Sequence, residues 1–128
     1  MFAVSCDSSD NNGFEYEVIP VESAVVPSEM TVNTDYSIAV SFSLPSDCHA
    51  FSDFFYEVNE DTRTVAVVAV YSVDGNCSSQ VSTDTITRSF VFRPLYEATY
   101  LFRFWNGADD QGIDVYTEYE VDATNAPG

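Results

Sequence analysis

The sequence predicts an all-β sandwich. From Phe14 onward, apolar and polar residues alternate and turn-forming residues recur at short intervals, which is typical of short, half-buried strands. No segment shows the 3.6-residue apolar period of an amphipathic helix. Of the 128 residues, 45% are hydrophobic and 15% are aromatic, enough for one core and too many for a disordered chain. We therefore expect one all-β domain.

The first predicted strands differ in their positions within a sheet. Residues 14–18 alternate apolar with acidic side chains, and Pro20 and Pro27 place this segment at a sheet edge. Residues 36–44 give the cleanest alternation in the chain, with serines on the polar face. We expect that strand to bury one face and to expose the other.

A hairpin with a central strand is predicted next. Residues 54–58 and 64–71 are joined by the turn 59–62, and residues 65–70 are apolar on both faces, as in a fully covered strand. Residues 86–92 form the following strand, which Pro94 ends.

Two further strands complete the predicted domain. Residues 100–105 and 115–122 both alternate, and the turn between them contains Gly107 and Gly112. The total is about seven antiparallel strands, the number expected of an immunoglobulin-like sandwich. We expect a signal-peptide remnant and flexible acidic tether over residues 1–13, the sandwich over residues 14–123 and a frayed tail over residues 124–128.

The segment 94–102 resembles the approach to the penultimate strand of immunoglobulin-like and fibronectin type III domains. In those families a tyrosine corner donates a hydrogen bond to nearby backbone, and the resemblance gives Tyr100 that role. Phe102 stands where immunoglobulin domains have their second core cysteine. The resemblance therefore implies architecture only.

The segment Ala3-Val4-Ser5-Cys6 resembles the lipobox of bacterial lipoproteins. That resemblance implies that Cys6 is lipidated and becomes the new N-terminus, with residues 1–5 as the end of a signal peptide. The polar run 7–12 would be a solvated leash. The alternative is a free cysteine in a disordered tail.

Lipidation of Cys6 would leave Cys48 and Cys77 as a pair for one disulfide. A bridge that closes a loop of about 30 residues stabilises by about 3 to 4 kcal/mol and requires an oxidising compartment. The alternative is a metal site. The chain has no CxxC spacing and His49 is its only histidine, so we do not expect zinc.

Small surface lipoproteins of Bacteroidota are similar to residues 14–122, through Cys48-His49, residues 63–67, Cys77 and residues 102–107. In that phylum a polar or acidic run after the lipidated cysteine resembles an export signal to the cell surface. The resemblance implies an outer-membrane lipoprotein, exposed on the cell surface, whose partners are other outer-membrane or surface proteins, or glycans.

The net charge of −17 comes from 21 acidic and four basic residues. Such a surface repels phosphate backbones and anionic headgroups, so we expect no nucleic-acid partner and membrane contact only through the lipid anchor. No stretch of about 18 apolar residues predicts a membrane-spanning helix.

Few residues indicate catalysis. Cys48 and His49 are adjacent, so in a strand their side chains point to opposite faces, and we expect no enzyme and no cofactor. Asp109, Asp110 and Asp114 surround a glycine and are weak candidates for calcium. They lack the EF-hand ligand spacing, and an ordinary turn explains them better.

Aromatic residues give the remaining functional signal. Trp105, Tyr116 and Tyr96 are candidate ligand-binding residues, since exposed aromatics beside acids and amides bind sugars or proteins; packing under loops is the alternative. The leading hypothesis is a non-enzymatic accessory or recognition subunit of an outer-membrane assembly. The alternatives are a carbohydrate-binding module and a pilin-like fibre subunit that accepts a neighbour's strand.

Overall fold

The fold is that of a computed structural model, which describes residues 13–73 and 85–126. Those residues form nine strands and no helix, which confirms the all-β prediction. The strands are β1 (Phe14–Ile19), β2 (Ser23–Val25), β3 (Glu29–Thr31), β4 (Tyr36–Phe42), β5 (His49–Asn59), β6 (Thr62–Ser72), β7 (Ile86–Phe92), β8 (Ala98–Ala108) and β9 (Asp114–Thr124).

The strands form two sheets. The larger has six strands in the order β1-β6-β8-β9-β3, with β5 also paired to β6, and the smaller has the order β2-β4-β7. Strands β3 and β9 pair in parallel, as do β6 and β8, and the other pairings are antiparallel. The connection from β6 to β8 passes through β7 in the other sheet, and such a crossover permits parallel pairing.

Alternate residues of the central strands fill the core between the sheets. In β4 and β8 every second residue is buried, as the sequence pattern predicts. Burial of one phenylalanine side chain stabilises by about 1.5 to 3 kcal/mol, so the core phenylalanines contribute strongly. The completely buried core side chains are Ile38, Val40, Phe42, Val65, Val67, Ala69, Phe102, Phe104 and Val121.

The predicted hairpin is present as β5 and β6. Its turn consists of Glu60 and Asp61, and Glu60 adopts a left-handed backbone conformation with φ of 55°. Strand β5 begins at His49, five residues before the predicted start. The register shifts between Phe51 and Asp53, and this irregularity interrupts the alternation on which the prediction depended.

One edge of β6 is shared by two strands. β8 pairs with it as far as Val65 and Phe104, and β1 pairs with it from Val67 onward. Beyond β1 the chain crosses to β8, where the Val21 amide donates to the Trp105 carbonyl at 2.8 Å. On this edge the sheet therefore divides into two branches, β1 and β8, and we call this division the fork.

The expectation of about seven antiparallel strands is wrong in number and in direction. Residues 21–31 form two short strands, β2 and β3, and two of the pairings are parallel. Pro27 separates β2 from β3 and allows the chain to leave one sheet and join the other. Strand β9 extends to Thr124, whose carbonyl accepts the Val32 amide, so the predicted tail begins one residue later.

Tyr100 has the contacts of a tyrosine corner. Its side chain is 1% exposed, and its hydroxyl donates to the Tyr96 carbonyl at 3.3 Å. The Phe92 ring packs edge-on against it, and the Arg63 guanidinium lies 5.3 Å from the ring centroid. This agrees with the role that the family resemblance gave to Tyr100.

Candidate functional site

The outer face of the six-stranded sheet carries a row of apolar residues across four strands. Phe55 pairs with Ala66 between β5 and β6, and Trp105 pairs with Tyr116 between β8 and β9. Val65 pairs with Phe104, so Ala66 and Trp105, one residue further along, lie side by side. We call Phe55, Ala66, Trp105 and Tyr116 the aromatic row.

A cavity of about 310 Å³ lies on the aromatic row. Small Ala66 forms its floor, and the larger side chains of Phe55 and Trp105 stand on the two neighbouring strands, whose backbones lie two strand spacings, or about 9.5 Å, apart. The cavity is lined by Val18, Phe55, Thr64, Ala66, Trp105, Asp114 and Tyr116.

Polar neighbours hold the two larger rings of the aromatic row in place. The Trp105 indole N–H donates to Asp114 Oδ1 at 3.1 Å. The Arg103 guanidinium lies 3.9 Å from the centroid of Tyr116, and its Nε donates to Glu118 Oε2 at 2.8 Å. Rings fixed before binding lose less entropy on binding, which favours recognition.

The exposed apolar surface continues from the cavity along β1. Phe14, Tyr16 and Val18 are 52%, 68% and 47% exposed, and they pair with Ser72, Val70 and Val68 of β6. Their alternation with Glu15 and Glu17 was visible in the sequence, but alternation alone does not show which face is covered. The structure places the acidic residues on the other side of β1, where Glu15 accepts from the Tyr71 hydroxyl at 3.1 Å and Glu17 lies 2.8 Å from His49.

Tyr96 lies apart from the other two aromatic candidates. It precedes β8, whose first residue, Ala98, lies about 23 Å along that strand from Trp105. Its hydroxyl donates to Asp61 Oδ1 at 2.9 Å, and this hydrogen bond raises the pKa of the Tyr96 phenol. Its ring also packs against buried Tyr100. These contacts give Tyr96 a structural role. Trp105 and Tyr116, in contrast, both line the cavity.

The acidic loop after β8 folds as a turn. Asp109 Oδ1 accepts the amides of Gln111 and Ile113, and Asp114 accepts the Trp105 indole. Among the described residues, no group of three acidic, histidine or cysteine side chains could hold a metal ion. Asp109 and Asp114, two of the three weak calcium candidates with Asp110, thus have structural hydrogen bonds of their own.

His49 belongs to a polar cluster that the sequence did not predict. Its Nε2 lies 2.8 Å from Glu17 Oε1 and its Nδ1 lies 2.7 Å from Ser46 Oγ. Because a carboxylate only accepts, Nε2 donates, and in the neutral ring Nδ1 accepts from Ser46. The ring stacks on Tyr71 at 4.7 Å, and we call Glu17, Ser46, His49 and Tyr71 the His49 cluster.

The His49 cluster connects the start of β5 to two neighbouring strands. Ser46 Oγ also accepts the Cys48 amide at 3.2 Å, as in a serine-stabilised turn. The cluster thereby ties the start of β5 to β1 and β6. Strand positions distant in sequence bring Glu17 to His49, so no local motif could have indicated the contact.

The cysteines are described only in part. Cys6 and Cys77 lie outside the described residues, and Cys48 lies in the turn that precedes β5. Within the described segments, no helix is long and apolar enough to span a membrane.

Comparison with known proteins identifies no relative. The sequence matches no protein-family model, and neither a curated protein nor a solved structure gives a significant match.

Proposed function

We propose that this protein is a non-enzymatic recognition domain that binds its partner through the aromatic row. The observation that carries the proposal is the cavity between Phe55 and Trp105, on an outer sheet face that also exposes Phe14 and Tyr16. Contiguous exposed apolar surface is costly to leave in water and marks interaction sites. Trp and Tyr side chains are enriched among the few residues that carry most of the binding energy at protein interfaces.

The proposal includes the cellular setting that the sequence resemblances imply. The domain would be an accessory subunit of an outer-membrane assembly, tethered to the cell surface through a lipid on Cys6. Mass spectrometry of the protein from native membranes should find a lipid on Cys6. An unmodified Cys6 would exclude this anchor and leave the binding face unaffected.

We also propose an immunoglobulin-like architecture with a Cys48–Cys77 disulfide. The tyrosine corner supports the architecture, and the two parallel pairings depart from it. His49 pairs with Tyr71, so β5 begins beside the end of β6, and Cys77 follows the last residue of β6 by five positions in the sequence. Thiol labelling before and after reduction tests the pairing.

Partner capture from native membranes tests the function. The full-length protein and its Trp105→Ala/Tyr116→Ala variant would be compared as bait, with Val91→Ala as the control, since Val91 is 67% exposed on the other sheet. We expect the double variant to lose the captured partner and the control to keep it. Equal capture by all three baits would refute the proposed binding face.

A carbohydrate ligand is the second candidate function. The cavity contains aromatic rings of the kind that stack on sugars, and Asp114 and Thr64 supply hydrogen-bonding groups beside them. A glycan array probed with the protein and with Trp105→Ala should show binding that depends on Trp105. The absence of any bound glycan would remove this candidate.

The fibre-subunit alternative stays a prediction. Within the described residues, β5 pairs only with β6 and β7 pairs only with β4. Each therefore has an edge to which a further strand could add. Electron microscopy of native cell surfaces would show whether fibres contain this protein.

A further inference from the structure

The cavity walls are suited to a cation. Three rings, Phe55, Trp105 and Tyr116, line it, and the carboxylate of Asp114 lies beside them. Ring faces attract cations electrostatically, and the attraction strengthens where water is excluded. Asp114 accepts the indole N–H with one oxygen, and a carboxylate has about four lone-pair sites for further donors.

The charges around the cavity favour a cation as well. On the outer face, Glu57 pairs with Thr64 and Asp53 pairs with Val68, so two more acids flank the cavity. Arg103, the basic residue on this face of β8, is paired with Glu118 at 2.8 Å. With a net charge of −17 for the whole chain, the cavity lies in a negative field that draws in positive groups.

The structure contains an internal example of the contact. The Arg103 guanidinium lies 3.9 Å from the centroid of Tyr116. Stacking on aromatic rings is a property of the planar guanidinium, which is also less strongly hydrated than an ammonium group. Tyr116 therefore forms, within this chain, the type of contact that a bound arginine would make.

We propose that the cavity binds an arginine side chain of a partner protein. This inference rests on the proposed function and specifies the chemistry of the partner. A neutral sugar needs several hydrogen-bonding groups, and the polar side chains among the described lining residues are Asp114, Thr64 and the Tyr116 hydroxyl, since the Trp105 indole N–H already donates to Asp114. A guanidinium needs flat rings and a carboxylate, and the cavity supplies both.

Trp105 is the only tryptophan of the chain, so tryptophan emission reports on the cavity alone. The probe is a blocked Gly-Gly-Arg-Gly-Gly peptide, compared with the same peptide carrying citrulline, which has the shape of arginine without its charge. We expect a saturable emission change with the arginine peptide, weakened by salt, and affinity about tenfold lower for citrulline. Equal affinities would overturn the inference.

A matched pair of variants tests the role of Asp114. Asp114→Asn keeps an acceptor for Trp105 and removes the charge, while Asp122→Asn removes the same charge elsewhere on β9. We expect arginine-peptide affinity to fall about three- to tenfold in the first variant and to stay unchanged in the second. Identical behaviour of the two variants would contradict the inference.

The two proposals fail in different ways. If the arginine peptide does not bind and partner capture still depends on Trp105, the cation inference is wrong and the binding face stands. If glycans bind instead, again through Trp105, the ligand is a sugar and the cation inference is wrong. If capture does not depend on Trp105, the binding face itself is wrong.

Discussion

Specific hydrogen bonds hold two aromatic side chains of this protein in place, one in the core and one at the surface. Tyr100 is buried yet keeps a hydrogen bond to backbone, and Asp114 fixes the ring of Trp105 at the cavity. The sequence indicated Tyr100 through its resemblance to a tyrosine corner, and Trp105 as an aromatic residue beside acids and amides. It did not indicate Asp114 as the partner of Trp105, since that contact depends on the register between β8 and β9.

Removal of the Tyr100 hydroxyl should weaken the fold. Tyr100→Phe leaves the packing intact and deprives the Tyr96 carbonyl of a donor, so we expect the free energy of unfolding to fall by about 1 kcal/mol. Urea denaturation measures the change. Tyr16→Phe is the control, because Tyr16 is 68% exposed and should change stability by less than about 0.5 kcal/mol. Equal effects would show that the corner hydrogen bond contributes nothing.

The His49 cluster makes a second prediction at this scale. His49→Ala removes the contacts to Glu17 and Ser46 and the stack on Tyr71, and the His49 side chain is only 8% exposed. We expect stability to fall by about 1 to 3 kcal/mol in thermal or urea unfolding. Glu120→Ala, on the exposed face of β9, should have little effect. An unchanged His49→Ala variant would mean that the cluster does not secure β5.

At the scale of strands, the sequence patterns predicted which segments form strands better than they predicted how those strands pair. Alternation in β4 and β8 identified which residues are buried, since both strands lie within their sheets and cover one another. The same alternation in β1 left its two faces equivalent, and only the register with β6, in which Tyr16 pairs with Val70 and Glu17 with buried Ala69, places Tyr16 on the outer face. Parallel pairing of β3 with β9 was equally unpredictable, because it joins segments about 90 residues apart.

The position of Ala66 in the cavity predicts a substitution that would close it. Ala66 lies on its floor, so Ala66→Ile should fill it and leave the core on the opposite face of β6 unchanged. We expect partner capture to fall at least about tenfold while the unfolding free energy changes by less than about 1 kcal/mol. Ala39→Ile, on the outer face of β4 in the other sheet, is the control. Undiminished capture by Ala66→Ile would show that the cavity is not used.

At the scale of the whole molecule, the two outer faces differ in chemistry. On the smaller sheet, β4 presents Ser37 and Ser41, and Ser41 hydrogen-bonds to Thr87 of β7. The larger sheet presents aromatic rings beside acids. The serine face was evident from the sequence, whereas the aromatic face combines residues from five strands and appears only once they are assembled.

Site-specific photo-crosslinking in producing cells tests the central claim most directly. A benzoylphenylalanine in place of Phe55, which is 47% exposed, would lie on the proposed binding face, and one in place of Val91, which is 67% exposed, would lie on the other sheet. Both photo-reactive variants report on the intact protein in the cells that produce it. The account predicts a defined covalent adduct from position 55 and none from position 91; an adduct from position 91 alone would contradict it.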